Sequence, residues 1–366
     1  MVENMKQALL TFLVTLVFLS VHAQTTGSWI AFTDSTSKLI GFKDSGGQVK
    51  VEPKFTGLTS AKYFEGIIAV SEKINGRYES YYLTKTGKAV GRDSLHFFDY
   101  AADCESEGFI RFKDKATDKV GMFDKNGNIA IPAIYNALSR VHNGHVWALK
   151  GAKEEYLDEH KEHAAWEGGE QLLITTNNEI VLRNFKYTYN LNLYSLKIHA
   201  KPSTDPNRQS FKGENGKFYS FIDFEKEFNS WLKSDLLNAL TLDKLAKASQ
   251  DSITYWQEQN GWTTEAKSKF LDRNFDLIKA RLLALEKDET DFSVFVDGLN
   301  PYLFNGKSYE KYYNNCAEAL MEKYPVMDFF INGKSESDLS QDHFGFLRTD
   351  KGYKLIYLAI RNGELK

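Results

Sequence analysis

Val120-Gly121-Met122-Phe123-Asp124-Lys125-Asn126-Gly127-Asn128-Ile129-Ala130-Ile131-Pro132 reads as strand, turn, strand. Asn126-Gly127 is a strong hairpin signal, because both residues accept a positive φ. Ile129 and Ile131 alternate with small or polar neighbours, the pattern of a half-buried strand. Pro132 is expected to end that strand, since proline cannot donate to a ladder. The phrase occurs earlier as Ile40-Gly41-Phe42-Lys43-Asp44, followed by Gly47, Val49, Val51, Pro53 and Phe55. Gly47, Gly87 and Gly127 fall 40 residues apart, and a fixed period of this size marks a repeat architecture.

A second glycine phrase follows the first in each unit. It reads Phe64-Glu65-Gly66-Ile67-Ile68, then Glu107-Gly108-Phe109-Ile110, then Asn143-Gly144-His145-Val146-Trp147. Each unit is therefore expected to be a short β-meander that buries its apolar face only by stacking on a neighbour. The middle unit is degenerate, with Tyr81 where the first glycine would stand.

These phrases, in this order, resemble the WG-repeat (KWG-repeat) proteins of bacteria. The unit from Val120 to Ala148 matches best and that from Ile40 to Val70 matches well, although Ile40 and Val120 replace the family tryptophan and Glu52 stands before Pro53. The likeness spans about a third of the chain. It implies a β-rich repeat module, often exported, and no agreed catalytic activity.

Outward from the repeats, the first 23 residues have the form of a secretory signal peptide. Met1 to Gln7 is polar, Ala8 to Leu19 is apolar, and Val21-His22-Ala23 offers small residues before Gln24. The apolar run is shorter than the roughly 20 residues a bilayer requires. The expectation is a secreted or periplasmic protein with no membrane span in the mature chain. A net charge of -3 with interspersed lysines and acids argues against nucleic acid. Cys104 and Cys316 are expected to be separate buried thiols, Cys316 on a helix with Tyr309, Tyr313 and Leu320; a bridge is the alternative.

The expected fold is a mainly β repeat module of stacked hairpins over 24–150, followed by an α+β C-terminal domain. Lys153 to Gln171 reads as a helix-prone charged insertion, and Leu172 to Val181 as a worn hairpin, together filling 151–200. Pro, Ser, Asn and Gly over 201–216 read as a linker. Beyond it, over 217–366, Phe224, Phe228, Trp231, Leu232 and Leu236 lie at helical spacing, as do Leu271, Phe275, Ile278, Leu282 and Leu285. A third helix is expected over 308–323. Val326 to Ile331, His343 to Leu347 and Tyr353 to Ile360 read as antiparallel strands. This element order resembles NTF2-like domains.

Candidate chemistry is sparse. His160 and His163 lie three apart on the expected helix but lack further ligands, so a solvated face is the reading. Asp124 to Asn128 opens like a calcium loop, yet Tyr135 stands where the twelfth-position glutamate belongs. Ser340, Asp342 and His343 invite a hydrolase reading, but no Gly-x-Ser-x-Gly elbow occurs. The chain indicates no catalytic residue, no metal site and no cofactor. Aromatic residues make up 14% of the chain, and Phe55, Tyr135 and Trp147 are the candidate binding residues on the repeats. The functional expectation is a secreted, non-enzymatic binding or scaffold protein whose β-repeats recognise an extracytoplasmic protein or glycan. The alternatives are a hydrolase or small-ligand binder with its pocket in the C-terminal α+β domain, and an envelope component whose repeats mediate assembly.

Overall fold

The computed structural model describes residues 27–98, 100–156, 158, 160, 164–285, 292–332, 341–360 and 365–366. The N-terminal segment expected to be a signal peptide, His163 and Ser340 lie outside the described residues.

The turn of the opening phrase is built by its aspartate. Asp124 N–H donates to the Asn128 carbonyl (2.9 Å) and accepts on its own carbonyl from Gly127 N–H (2.9 Å). Its Oδ1 accepts from the N–H groups of Asn126 (2.9 Å) and Asn128 (2.8 Å), so the carboxylate serves its own loop. Gly127 takes φ +70°, the left-handed position that closes a three-residue hairpin loop. The same backbone pair of bonds recurs at 44–48, 84–88, 175–179 and 213–217. The last two fall where the sequence period is lost, with Asn178 and Gly216 at positive φ.

β1 (Trp29–Thr33), β2 (Ile40–Lys43), β3 (Val49–Phe55), β4 (Tyr63–Phe64), β5 (Ile67–Ile74), β6 (Arg77–Thr84) and β7 (Ala89–Val90) form one sheet, in the order β4-β1-β2-β3-β5-β6-β7. β8 (Phe97–Phe98) and β9 (Ala101–Ala102) make a short ribbon, and β10 (Phe109–Asp114), β11 (Lys119–Asp124) and β12 (Ile129–Tyr135) form the next sheet. β13 (Ala137–Leu138) and β14 (His145–Lys150) are separated in the chain from their sheet partners by a ribbon, β15 (Lys153–Tyr156) with β16 (Ala164–Glu167). Those partners are β17 (Glu170–Thr175) and β18 (Ile180–Arg183). β19 (Leu191–His199), β20 (Arg208–Lys212) and β21 (Phe218–Asp223) complete the series.

Three features here depart from the sequence reading. β3 and β12 run through Pro53 and Pro132 instead of ending there. The pairing slips between Ile40–Phe55 and Phe42–Val51, and identically between Val120–Tyr135 and Met122–Ile131. A bulge needs no N–H from the proline it contains. It also brings the facing strand close: a Cβ on Gly121 would lie 2.7 Å from the Ile131 carbonyl oxygen. Secondly, the described residues of 153–167 hold a pair of antiparallel strands, Lys153–Tyr156 with Ala164–Glu167, in place of the expected helix. Gly168 and Gly169 both take positive φ, and Glu154 faces Trp166 across the ribbon. Thirdly, the 201–216 linker contains β20. Its Pro, Asn and Gly residues mark turns on either side of a strand anchored by buried Arg208, whose Nε donates to Ser220 Oγ at 3.0 Å.

Three of the four apolar clusters of the repeats draw on successive sheets, while the fourth, built on Phe42, Phe55 and Phe64, belongs to the first sheet. Tyr82 and Ile67 pack with Ile110, Phe112 and Phe123. Met122, Ile131 and Tyr135 pack with Val146, Leu172 and Ile174. Leu173 and Leu182 pack with Leu191, Leu193 and Phe221. Stacking therefore supplies the core that one meander lacks.

After β21 the chain enters α1 (Phe224–Trp231), capped by Asp223 accepting from Lys226 N–H (3.2 Å), and a wider turn over Leu232–Leu237. α2 (Leu242–Lys247), β22 (Ser249–Gln257), β23 (Gly261–Ala266), α3 (Lys267–Ala284), β24 (Phe292–Asp297), β25 (Val326–Asn332), β26 (Gln341–Thr349) and β27 (Gly352–Ala359) follow. The six strands form one sheet in the order β23-β22-β27-β26-β25-β24. β22 and β27 are parallel, so the sheet is mixed rather than antiparallel as expected. Phe224, Phe228, Phe270, Ile278 and Leu282 pack against Met327, Phe329, Phe344 and Phe346 on one face. Across the described residues the protein is predominantly β, in several small sheets.

The helix expected over 308–323 shrinks to one turn at Glu310–Tyr312. Asn314 Oδ1 accepts from the N–H groups of Cys316 (2.9 Å) and Glu318 (3.0 Å), a local turn that competes with helix. Cys316 is bonded to Cys104, with Cα atoms 6.1 Å apart, which overturns the expectation of separate thiols. Nothing local in the sequence brings residues 212 positions apart together. The bridge sits within a hub at 103–107. Buried Asp103 accepts from Arg111 Nε (3.0 Å) and Arg140 Nε (3.0 Å), and Arg140 pairs in turn with Glu318. Glu105 accepts from the N–H groups of Gly66 (2.9 Å) and Ile67 (3.0 Å). Glu107 does the same for Asn143 (2.6 Å) and Gly144 (2.8 Å).

Replacing both cysteines by serine removes the constraint that closes the long loop. The double variant is expected to lose on the order of 3–5 kcal/mol of stability. Urea unfolding of wild type, with and without reductant, against the variant measures this. Coincident midpoints for all three would show that the bridge carries no load.

Candidate functional site: an aromatic cleft on the open face of the six-stranded sheet

Side chains alternate across a strand, so β25 has two characters. Met327, Phe329 and Ile331 face the helices, while Val326, Asp328 and Phe330 face the other way. On β26, Phe344 and Phe346 join the helix-side core and His343 turns to the open face. The open face carries a cleft of about 610 Å³. β22 and β23 contribute Trp256 and Trp262, and β24 contributes Asp297. The segment leading to Cys316 adds Asn300, Leu303 and Phe304 as a wall.

The floor is fixed by one glycine. Asp328, Gly345 and Tyr357 stand opposite one another on three adjacent strands. The Tyr357 ring lies across Gly345, where a Cβ would come within 2.1 Å of it. That crossing carries the Tyr357 hydroxyl to Asp328, to which it donates. Burial pushes the Asp328 carboxyl up to about 6; the Tyr357 hydrogen bond opposes this and the charge of Asp297 adds to it. Burial and the Asp328 charge push the Tyr357 phenol well above its ordinary range. His343 is held below its usual pKa by burial, against the charge of Asp342, and its ring stands edge-on to Phe330 at 4.2 Å. Among the described residues the lining holds two carboxylates and one histidine, and neither lysine nor arginine.

The residues singled out in the sequence lie elsewhere. Phe55 is fully buried among Phe42 and Phe64. Tyr135 is buried, its hydroxyl donating to Asn178 Oδ1 at 2.6 Å. Trp147 is half-buried, 6.3 Å from the Tyr187 ring. All three serve packing within the repeats, and none lines the cleft. Asp342 and His343 are neighbours on one strand and so point to opposite faces. Asp342 is buried 3.6 Å from Arg281 Nε, and Ser340 lies outside the described residues. His160 is exposed and its expected partner His163 is likewise outside them. Among the described residues no group of three or more His, Cys, Asp or Glu side chains could hold a metal ion. No described helix is long and apolar enough to cross a membrane.

The cleft residues left two local signals in the sequence. Asp328 interrupts the apolar run Val326-Met327-Asp328-Phe329-Phe330-Ile331, and a lone acid in such a strand marks a functional candidate. Gly345 lies between Phe344 and Phe346, and a glycine inside a strand marks a close approach.

Residues 121–153 match the family model of the WG containing repeat. That WG repeat runs from Gly121 within β11 through β14 to the first residue of β15. No curated protein matches the chain. Every residue lining the cleft lies outside the matched repeat.

Two outcomes are expected from this geometry. Gly345→Val forces the Tyr357 ring off the strand and breaks its bond to Asp328. A loss of roughly 1–3 kcal/mol in urea unfolding is expected, as for overpacking of a core. The second concerns pH. The Asp328 carboxyl titrates near 6 when folded and near 3.8 in its ordinary state. Between those values the folded chain holds the extra proton, so this group costs stability as pH rises through the window. Asp328→Asn removes that cost and keeps an acceptor for Tyr357. Its stability relative to wild type should rise by roughly 2 kcal/mol between pH 4 and pH 7.5, read from urea midpoints. A flat difference would place the Asp328 pKa near its ordinary value.

Proposed function

We propose that this is a non-enzymatic binding protein of an oxidising, extracytoplasmic compartment, taking a small organic ligand in the aromatic cleft. The observation that carries the reading is the cleft itself: largely apolar walls, a few convergent polar groups and a volume suited to a small molecule. The apolar leader and the Cys104–Cys316 bridge support the address, because disulfides persist outside the reducing cytosol. Helices α1 to α3 and the six-stranded sheet are read as an α+β domain with an NTF2-like order of elements. The opposite orientations of Asp342 and His343 favour binding over hydrolysis.

A second reading keeps recognition of an extracytoplasmic protein or glycan on the β-repeats. It is favoured by the rings around the β8–β9 ribbon, where Phe98 is 76% and Tyr100 94% exposed. Surface aromatics of this kind make good anchors in recognition.

Equilibrium dialysis separates the two readings. The mature chain, its Trp262→Ala variant and its Phe98→Ala variant are each dialysed against the small-molecule fraction of a cell-envelope extract, and bound compounds are identified by mass spectrometry. A compound retained by wild type and Phe98→Ala but reduced at least tenfold with Trp262→Ala is the expected result. No compound sensitive to Trp262 would refute ligand binding in the cleft and leave the repeats as the recognition surface.

A further inference from the structure

The chemistry of the cleft is one-sided. Asp328 and Asp297 both line it, Asp297 standing opposite Val326, one strand pair diagonally from Asp328. The contacts they make are a hydroxyl donated by Tyr357 to Asp328 and the Gly298 N–H donated to Asp297 at 2.7 Å. Neither contact brings a positive charge, and among the described residues the lining contains no lysine or arginine. A carboxylate held in a largely apolar cleft is costly without a counter-charge. The charge of Asp297 is one of the causes holding the Asp328 carboxyl up near 6. A cation between them would relieve that repulsion. His343, the remaining titratable side chain of the lining, is held toward its neutral form by burial.

The rings beside these acids complete the picture. Trp262 stands 5.6 Å from Trp256 at 71° and 5.8 Å from Tyr357 at 88°. Trp256 and Trp262 keep 43% and 40% of their surface exposed, so both remain open to an incoming group. Trp262 thus stands steeply to both neighbouring rings, and such a corner suits a rounded head group better than a flat sugar ring. Indole and phenol rings attract cations through their quadrupoles, and tryptophan does so most strongly. An anion would meet two carboxylates, with no lysine or arginine among the described lining residues to offset them.

We infer that the cleft binds an organic cation, an alkyl- or trimethylammonium head group seated between Trp256, Trp262 and Tyr357 with Asp328 and Asp297 as its counter-charges. This inference rests on the reading of the cleft as the ligand site and adds the charge and shape of the ligand.

Choline and its neutral isostere 3,3-dimethyl-1-butanol have the same shape and differ in charge. Each is titrated into the full mature chain and followed by calorimetry and tryptophan fluorescence, with spermidine as a second cation and cellobiose as a neutral sugar. The expected result is saturable binding of choline or spermidine, with the isostere at least tenfold weaker than choline. Asp297→Asn, an exposed position, should weaken the cation severalfold with an unchanged melting temperature. Equal binding of choline and the isostere overturns the inference while leaving the cleft a ligand site. So does binding of cellobiose with neither cation bound. Failure of all four probes overturns it too. If dialysis then also yields no Trp262-sensitive compound, the cleft reading falls with it.

Discussion

Asp103 carries a charge in the protein interior, and that fact organises much of the molecule. Burial alone would raise its pKa, but Arg111 and Arg140 overcome this and hold the carboxyl far below the ordinary range. The arrangement ties together pieces of chain that share no strand ladder. Arg111 lies on β10, Arg140 follows β13, and Arg140 passes on to Glu318 beyond the six-stranded sheet's β24. Losing one member of such a set strands the others as buried charges, which costs more than the pair contributes. Cys104 and Glu105 follow Asp103 in the chain and act in the same place, one covalently and one as an acceptor for backbone of the first unit. With Ser106 Oγ donating to the Val141 carbonyl (2.7 Å) and Glu107 accepting from Asn143 and Gly144, five consecutive residues fix the second unit to its neighbours and to the C-terminal segment.

That fixation extends to the cleft. The stretch contributing Asn300, Leu303 and Phe304 continues to Asn315, whose carbonyl accepts from the N–H groups of Lys62 (2.7 Å) and Tyr63 (3.1 Å), and to the bridge at Cys316. One wall of the cleft therefore belongs to a segment anchored on the repeats, while its floor belongs to the sheet. The shape of the cleft is set by both halves of the chain. Lys323 over the Tyr194 ring at 5.2 Å adds a further contact across the same joint.

Legibility in the sequence followed distance along the chain. The Asp-x-x-Gly turn, the alternation after it and the helical stripes of α1 and α3 are local, and local patterns can be read. The turn at 175–179 falls inside the hairpin expected over 172–181, whereas the one at 213–217 is hidden in the sequence because Gly213 replaces the aspartate while the backbone bonds persist. The paired strands Lys153–Tyr156 and Ala164–Glu167 read as helix because their charge outweighs the local signal of Gly168-Gly169. Phe55 and Tyr135 show the limit for function: an aromatic ring looks the same in sequence whether it packs or binds. The disulfide, the hub and the cleft join residues from distant strands, so only the glycine at 345 and the acid at 328 left a local trace.

The bridge between Cys104 and Cys316 also gives the chain the topology of a ring with two tails. Any single peptide bond broken between those positions leaves one covalent molecule. The interval contains the exposed ribbon of β15 and β16, the turn after Lys201 and the approaches to the helices. A nick in one of these loops therefore separates no piece from the whole. Such a protein would wear by cleavage long before it fell apart.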